Sequence, residues 1–319
     1  MKLLKKIKLE YNTKLFNDYI SNQQFDLAYK FVLDLNDKDQ ADFFQFLKSC
    51  YDKFNDMPHD FYKKKIIWLL SYDLLDLSFV NKFLNYYLSK HSKTSFEYQN
   101  YANTLSDHFA KYNLDYQNDT ITFNDFVKYS SLFQNLLLFN CKKNFLFLES
   151  CASFFETNQK NYFINANITH CYFYIVAKPE NLYLRYKDNY KSSEAAFNEI
   201  FNFSEQNYLN PKQENHKFKV FENRTNLNTN VKSWTDINVK NTYKGKVISY
   251  QRLIEETEEV LIEILFHLKQ YNFDLEIDMD DIKNYLASNH IEENMESQLS
   301  NNEKKFLNRN LDQTIDFSL

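Results

Sequence analysis

Five acidic residues fall within eight positions in "DLEIDMDD", Asp274 to Asp281, a density that would suit Mg²⁺ or Ca²⁺. An EF-hand loop also needs a glycine at its sixth position and a closing glutamate, and the glycine is missing. The simpler reading is an exposed turn in which Asp278 or Asp280 caps the helix "IKNYLASNH". With Glu255, Glu256, Glu258, Glu259 and Glu263, these acids make residues 255–281 an anionic surface suited to a basic partner. The seven histidines, His59, His91, His108, His170, His216, His267 and His290, include no pair at i, i+4 and no H-E-x-x-H, so zinc ligation has no motif. His170 and Cys171 are adjacent, but on a strand neighbours point to opposite faces, which favours a core or interface role over a dyad. Lys63, Lys64 and Lys65 in "DFYKKKIIWLL", beside Tyr62 and Trp68, read as a nucleic-acid patch or as the solvated side of a helix. None of Arg185, Arg224, Arg252 and Arg309 has a histidine at the Arg-x4–6-His spacing of helical nucleases. No catalytic, cofactor-binding or metal-ligating residue is assigned, and no cofactor is expected.

Composition narrows the chemistry further. The chain of 319 residues has a single glycine, Gly245. A Walker P-loop, a Rossmann fingerprint and a G-x-S-x-G elbow all need glycines that it lacks. Aromatics form 18% of residues and the basic charge is nearly all lysine, a bias that fits an AT-rich genome and argues against reading every aromatic as a nucleic-acid platform. The net charge of −5 argues against a general nucleic-acid binder. Cys50, Cys141, Cys151 and Cys171 form no C-x-x-C pair and "MKLLKKIKLEYN" has no signal-peptide core, so a reducing, cytoplasmic location is expected, at most peripheral to a membrane's inner face. The most apolar run, "SLFQNLLLFNCKKNFLFLESCASFF", carries Lys142 and Lys143 in its middle, which argues against a transmembrane segment.

The elements that would position these residues read as mainly α. Periodicity predicts helices near 3–21, 24–35, 39–55, 59–75, 78–91, 95–112, 124–139 and 143–157, a helical bundle over 1–157. Phe79, Phe83, Leu84 and Tyr87 would lie in its core. Alternation in "YFINANITHCYFYIVAKPENLYLRYKD" predicts a hairpin turning at Lys178 to Asn181, and "HKFKVFE" and "INVKNTYKGKVISY" are further strands. A small α+β domain with antiparallel strands is thus expected over 158–250, with "SSEAAFNEIFNFSEQN" as its helix. Residues 251–319 read as C-terminal helices and a polar tail, the tail from about 289 being ordered by a partner.

The segment from Tyr11 to Tyr112 resembles the six-helix N-terminal domain of the F1 ATP synthase delta subunit, the oligomycin-sensitivity protein. "YNTKLF" is similar to that family's Y-A-x-A-L-F opening, "MPHDFYKKKIIWLL" to its Pro-led fourth helix, and "FVNKFLNYYLSKH" with "YANTLSDHF" to its fifth and sixth. The family's D-P-S-x-x-G-G turn is absent, and residues 114–319 exceed its C-terminal domain. "LKKIK" and "LASNH" instead resemble fragments of the gamma subunit's terminal helices.

The resemblance implies a non-catalytic structural or adaptor subunit that binds other protein subunits, in its sharpest form a stalk or connector of an F1-like, motility-associated rotary ATPase without a small-molecule substrate. In "YNTKLFNDYISNQQFDLAYKFVLDL", Leu15, Ile20, Leu27 and Phe31 would be core first and support a docking face second. Two other readings stand beside it: an enzyme or nuclease with a site assembled around Glu276, Asp278 and Asp280, and a nucleic-acid-associated factor using the N-terminal lysines.

Overall fold

The computed structural model describes residues 2–22, 27, 31, 35, 64–72, 75, 77–100, 120–122, 134, 137–138, 141–151, 156–157, 160–161, 164, 168–201, 217–219, 227–291 and 298–317. Their centre is a parallel sheet of five strands: β1 (Lys65–Ser71), β2 (Phe96–Asn100), β3 (Phe145–Cys151), β4 (Thr169–Val176) and β5 (Gly245–Ser249). The order across the sheet is β2-β3-β1-β4-β5, and every pairing is parallel. The mainly α bundle expected from the sequence is corrected to an α/β fold.

The misreading has a physical cause. β1 lies between β3 and β4 with Ile66, Ile67, Trp68, Leu69 and Leu70 all fully buried. A strand covered on both faces needs apolar residues at every position, so "KIIWLLS" and "FLFLESC" lack the alternation that separates strand from helix. The helices expected at 59–75 and 143–157 contain β1 and β3, and the one expected at 95–112 begins as β2. Two N-terminal helices do form, α1 (Lys2–Ser21) and α2 (Ser78–His91), and α2 buries Val80, Phe83, Leu84, Tyr87 and Leu88. The helix expected at 39–55, and most of those expected at 24–35 and 124–139, lie outside the described residues.

The hairpin expected after residue 164 is likewise replaced. β4 is a strand, but it runs parallel between β1 and β5, and "LYLRY" belongs to α3 (Pro179–Tyr190). Pro179 at the first helical turn turns the chain from strand into helix, since its missing N–H costs nothing there. Antiparallel pairing is confined, among the described residues, to Thr120–Thr122 with Lys217–Lys219, Glu156–Thr157 with Lys160–Asn161 and a bridge between Ser92 and Leu275. The pairing of β1 with β4 carries the sheet across the division expected at 157/158.

The remaining helices are α4 (Ser193–Phe201), α5 (Leu227–Thr235), α6 (Ile237–Tyr243), α7 (Tyr250–Glu255), α8 (Thr257–Gln270), α9 (Met279–Ser288) and α10 (Asn301–Asn310). One apolar core joins them to the sheet, from Ile66 to Leu307. On one face Tyr172 donates to the Trp234 carbonyl at 2.7 Å and Tyr174 to Asn230 Oδ1 at 2.8 Å, docking α5. On the other Phe173 meets the His267 ring of α8 edge-on at 5.3 Å. The C-terminal segment expected to await a partner packs on its own chain: Glu303 accepts from Tyr183 and Ser193, and Phe306 lies 4.2 Å from the Phe197 ring. Among the described residues no helix is long and apolar enough to cross a membrane.

Candidate functional site

The residues singled out by the sequence do not converge. Asp278 caps α9, accepting from the backbone N–H groups of Asp280 and Asp281, while Glu276 and Asp280 point to solvent. Asp281 is buried, with its carboxylate accepting from Lys90 and Tyr86 and meeting His91 Nε2 at 2.7 Å. Those bonds, led by the one from Lys90, hold its pKa down at about 2. Among the described residues no group of three or more His, Cys, Asp or Glu is placed to hold a metal. Lys64 donates to the Cys141 carbonyl at 2.5 Å, Lys65 opens a central strand and Trp68 is fully buried, so the lysine run is not one face of a helix. In the acidic helical region, Glu263 pairs with Arg252 at 2.8 Å and Lys246 at 2.7 Å, and Glu256 pairs with Arg252.

What the fold does bring together is the carboxyl edge of the sheet. After β1 the chain leads by α2 to β2 on one side, and after β4 it leads by α3 to β5 on the other. β1 and β4 are neighbours, so their outgoing connections diverge, and in open parallel sheets such a switch point is where a crevice for ligands forms. No family model matches this sequence, and no curated protein matches it.

Ser71 ends β1 and Tyr72 follows it, and the Tyr72 hydroxyl donates to the carbonyls of Glu199 and Ile200 at 3.1 and 3.2 Å, fixing the end of α4 there. Lys178 follows β4, exposed, at the N-cap of α3. Neither α2 nor α3 has a side-chain cap: Leu77 and Lys178 occupy those positions without accepting from the first turn. In α3, Pro179 has no N–H and the N–H groups of Asn181 and Leu182 donate to the Lys178 carbonyl, so Glu180 carries the open donor at the positive end of the helix dipole. α8 also starts without a side-chain cap, while α6, α7, α9 and α10 are capped by Asp236, Ser249, Asp278 and Ser300.

Two links hold α3 to the chain leaving β5. Arg185 donates to the Tyr250 hydroxyl at 3.0 Å with its guanidinium over that ring, and Asn181 donates to Gln251 Oε1 at 3.5 Å. Seven residues separate Lys178 from Arg185, close to two helical turns, so both cations share one side of α3. On β3, Glu149 accepts from Asn81 of α2, whose own oxygen accepts from Tyr98. Burial first, then the Glu149 charge, push the Tyr98 hydroxyl far above its ordinary range, so it stays a donor. The edge thus offers the Lys178 ammonium and the start of α3 to an anion.

Lys178 escapes sequence reasoning because "AKPEN" reads as a hairpin turn. The available signal was repetition: "KIIWLLS" before "SFVNKFL", "YFYIV" before "KPENLYL" and "KVIS" before "YQRLIE" are three strand-to-helix passages, the mark of a parallel sheet.

Proposed function

We propose that this chain binds a small ligand bearing a phosphate- or sulfate-type group across the carboxyl ends of β1 and β4. The observation that carries the reading is the strand order, which puts a topological switch point between two strands whose following helices both start uncapped. Lys178 supplies charge, Glu180 of α3 and the first turn of α2 supply N–H groups, and Arg185 stiffens the adjoining wall through Tyr250. The segment that resembles the delta family's fourth helix contains β1.

Thermal unfolding of the full chain with pyrophosphate and a panel of mononucleotides tests this. A cognate ligand at a hundredfold excess over its Kd should stabilise the protein by about 2.7 kcal/mol. Lys178→Glu should remove that stabilisation and leave the ligand-free midpoint unchanged, since the side chain is exposed. No stabilisation by any member of the panel, or stabilisation indifferent to Lys178→Glu, would withdraw the proposal.

A further inference from the structure

The net charge is −5, yet α1 opens with "KLLKK" at 2–6, three lysines and no acid. Further along, α1 carries apolar groups on two sides. Asn12 and Phe16 are buried, whereas Ile7 and Tyr11 stay more than half exposed. Ile7 and Phe16 are nine positions apart, about two and a half turns, which places them on opposite sides of the helix. Ile7 and Tyr11, at i and i+4, stand one above the other on the outward side. Single exposed apolar residues are ordinary, but a stacked pair beside a run of lysines is the pattern of a helix that docks.

A face of opposite charge lies on α8. Phe266 is more than half exposed, and Ile262, four positions before it, is half-buried. Glu259 lies three positions before Ile262, so the three share one side of the helix. Acids gather at this end as Glu255, Glu256, Glu258 and Glu259. Arg252 pairs with Glu256, and Lys283 stands 3.9 Å from Glu258. Glu255 accepts from the neutral Gln251 amide at 2.6 Å and is exposed, as is Glu259, so both leave negative charge at the surface.

The two faces have the same layout. On α1 the lysines precede Ile7 and Tyr11, on α8 the glutamates precede Ile262 and Phe266, and each apolar pair is spaced i, i+4. Laid parallel, lysine meets glutamate and the apolar pairs meet each other. Ile7, Tyr11 and Phe266 are all exposed in the single chain, so α1 does not cover its own α8 through these faces. A second copy carries the complement of both.

We propose that this chain self-associates, with α1 of one copy laid along α8 of another. Exchange in both directions closes a two-fold dimer in which each copy gives one α1 and receives one. Desolvation of Tyr11 and Phe266 supplies the attraction, and the charged rim sets the direction, since an antiparallel α1 would bring its lysines toward the exposed Lys269.

Sedimentation velocity of the full chain over a range of protein and salt concentrations reads this out. The chain should associate reversibly, and more weakly as salt rises. Tyr11→Ala and Phe266→Ala should each weaken association about tenfold or more, as loss of an interface aromatic does, with urea midpoints unchanged because both side chains lie at the surface. Lys178→Glu, outside both faces, should associate as the parent chain does. The decisive arm is charge exchange. Lys5→Glu with Lys6→Glu, and Glu255→Lys with Glu259→Lys, should each lower self-association. An equimolar mixture of the two double variants should restore it, because the reversed α1 then meets a reversed α8 while the two native faces meet each other. A chain monomeric at every concentration, double variants that associate as the parent does, or a mixture no better than its parts would overturn the proposal. Binding of a monomeric chain to vesicles of anionic lipid, lost in Lys5→Glu with Lys6→Glu, would overturn it too, by assigning the outward face of α1 to a membrane surface.

Discussion

Gly245→Ala is the substitution for which the structure gives the clearest sign. Gly245 is the one glycine of the chain, yet it does not take a positive φ; the left-handed residue is its neighbour Lys244, at φ 51. Backbone freedom therefore does not explain it. In a strand, alanine would by itself add about 0.4–1 kcal/mol by restricting the unfolded chain. Opposing this, a Cβ at 245 would stand 2.1 Å from Tyr172 Cζ and 2.4 Å from both Cε1 and the hydroxyl, more than an ångström short of ordinary contact. Tyr172 has no room to yield: it is fully buried, packs on Trp234 at 5.1 Å between centroids and donates to the Trp234 carbonyl. Overpacking costs about 1–3 kcal/mol, and a buried hydroxyl torn from its acceptor about 1–3 more. The net expectation is a loss of about 2–4 kcal/mol, read from urea unfolding midpoints. Tyr172→Leu should clear the space, making Gly245→Ala neutral or mildly stabilising in that background. A single-variant effect within about ±0.5 kcal/mol, or the same effect in both backgrounds, would refute the steric explanation.

Phe83→Ala should cost about 3–5 kcal/mol, because the ring is fully buried against Tyr87 at 5.3 Å and Tyr285 at 5.3 Å; a smaller loss by urea unfolding would mean that α2 closes over the gap. The Asp281 carboxyl, held at about 2 against an ordinary 3.8, binds protons less readily folded than unfolded, so its stabilisation is complete above about pH 4 and lost as pH falls toward 2. Asp281→Asn should therefore start less stable at neutral pH and lose less between those limits, and an unchanged acid slope in urea titrations would contradict the assignment.

How much was legible in the sequence follows from burial. α2 and α8 announced themselves, because one face of each meets solvent and Phe83, Leu84, Val260, Leu261, Ile264, Leu265 and Leu268 keep a helical period. The strand at β4 was legible in its residues but not in its partners: alternation is a local property, and whether a strand pairs in parallel or in a hairpin is decided by the helix that follows it. β1 and β3 were illegible because full burial erases period, leaving only brevity and the β-branched Ile66 and Ile67 to argue for strand. The lysine triplet misled for the same reason, since Lys65 is the first residue of a core strand. Lys178 lay outside motif reasoning altogether. It gains its place from strand order, a relation between segments distant in sequence.

The central claim is that the crevice between the carboxyl ends of β1 and β4 holds an anionic ligand, and mapping the bound ligand by backbone NMR tests it most directly. On titration with the mononucleotide that stabilises the protein best, the account predicts that the largest shift changes fall on Ser71, Tyr72, Ser78, Ala177, Lys178 and Asn181, and that they vanish in Lys178→Glu. Changes centred on any other surface, with those six residues unmoved, would contradict it.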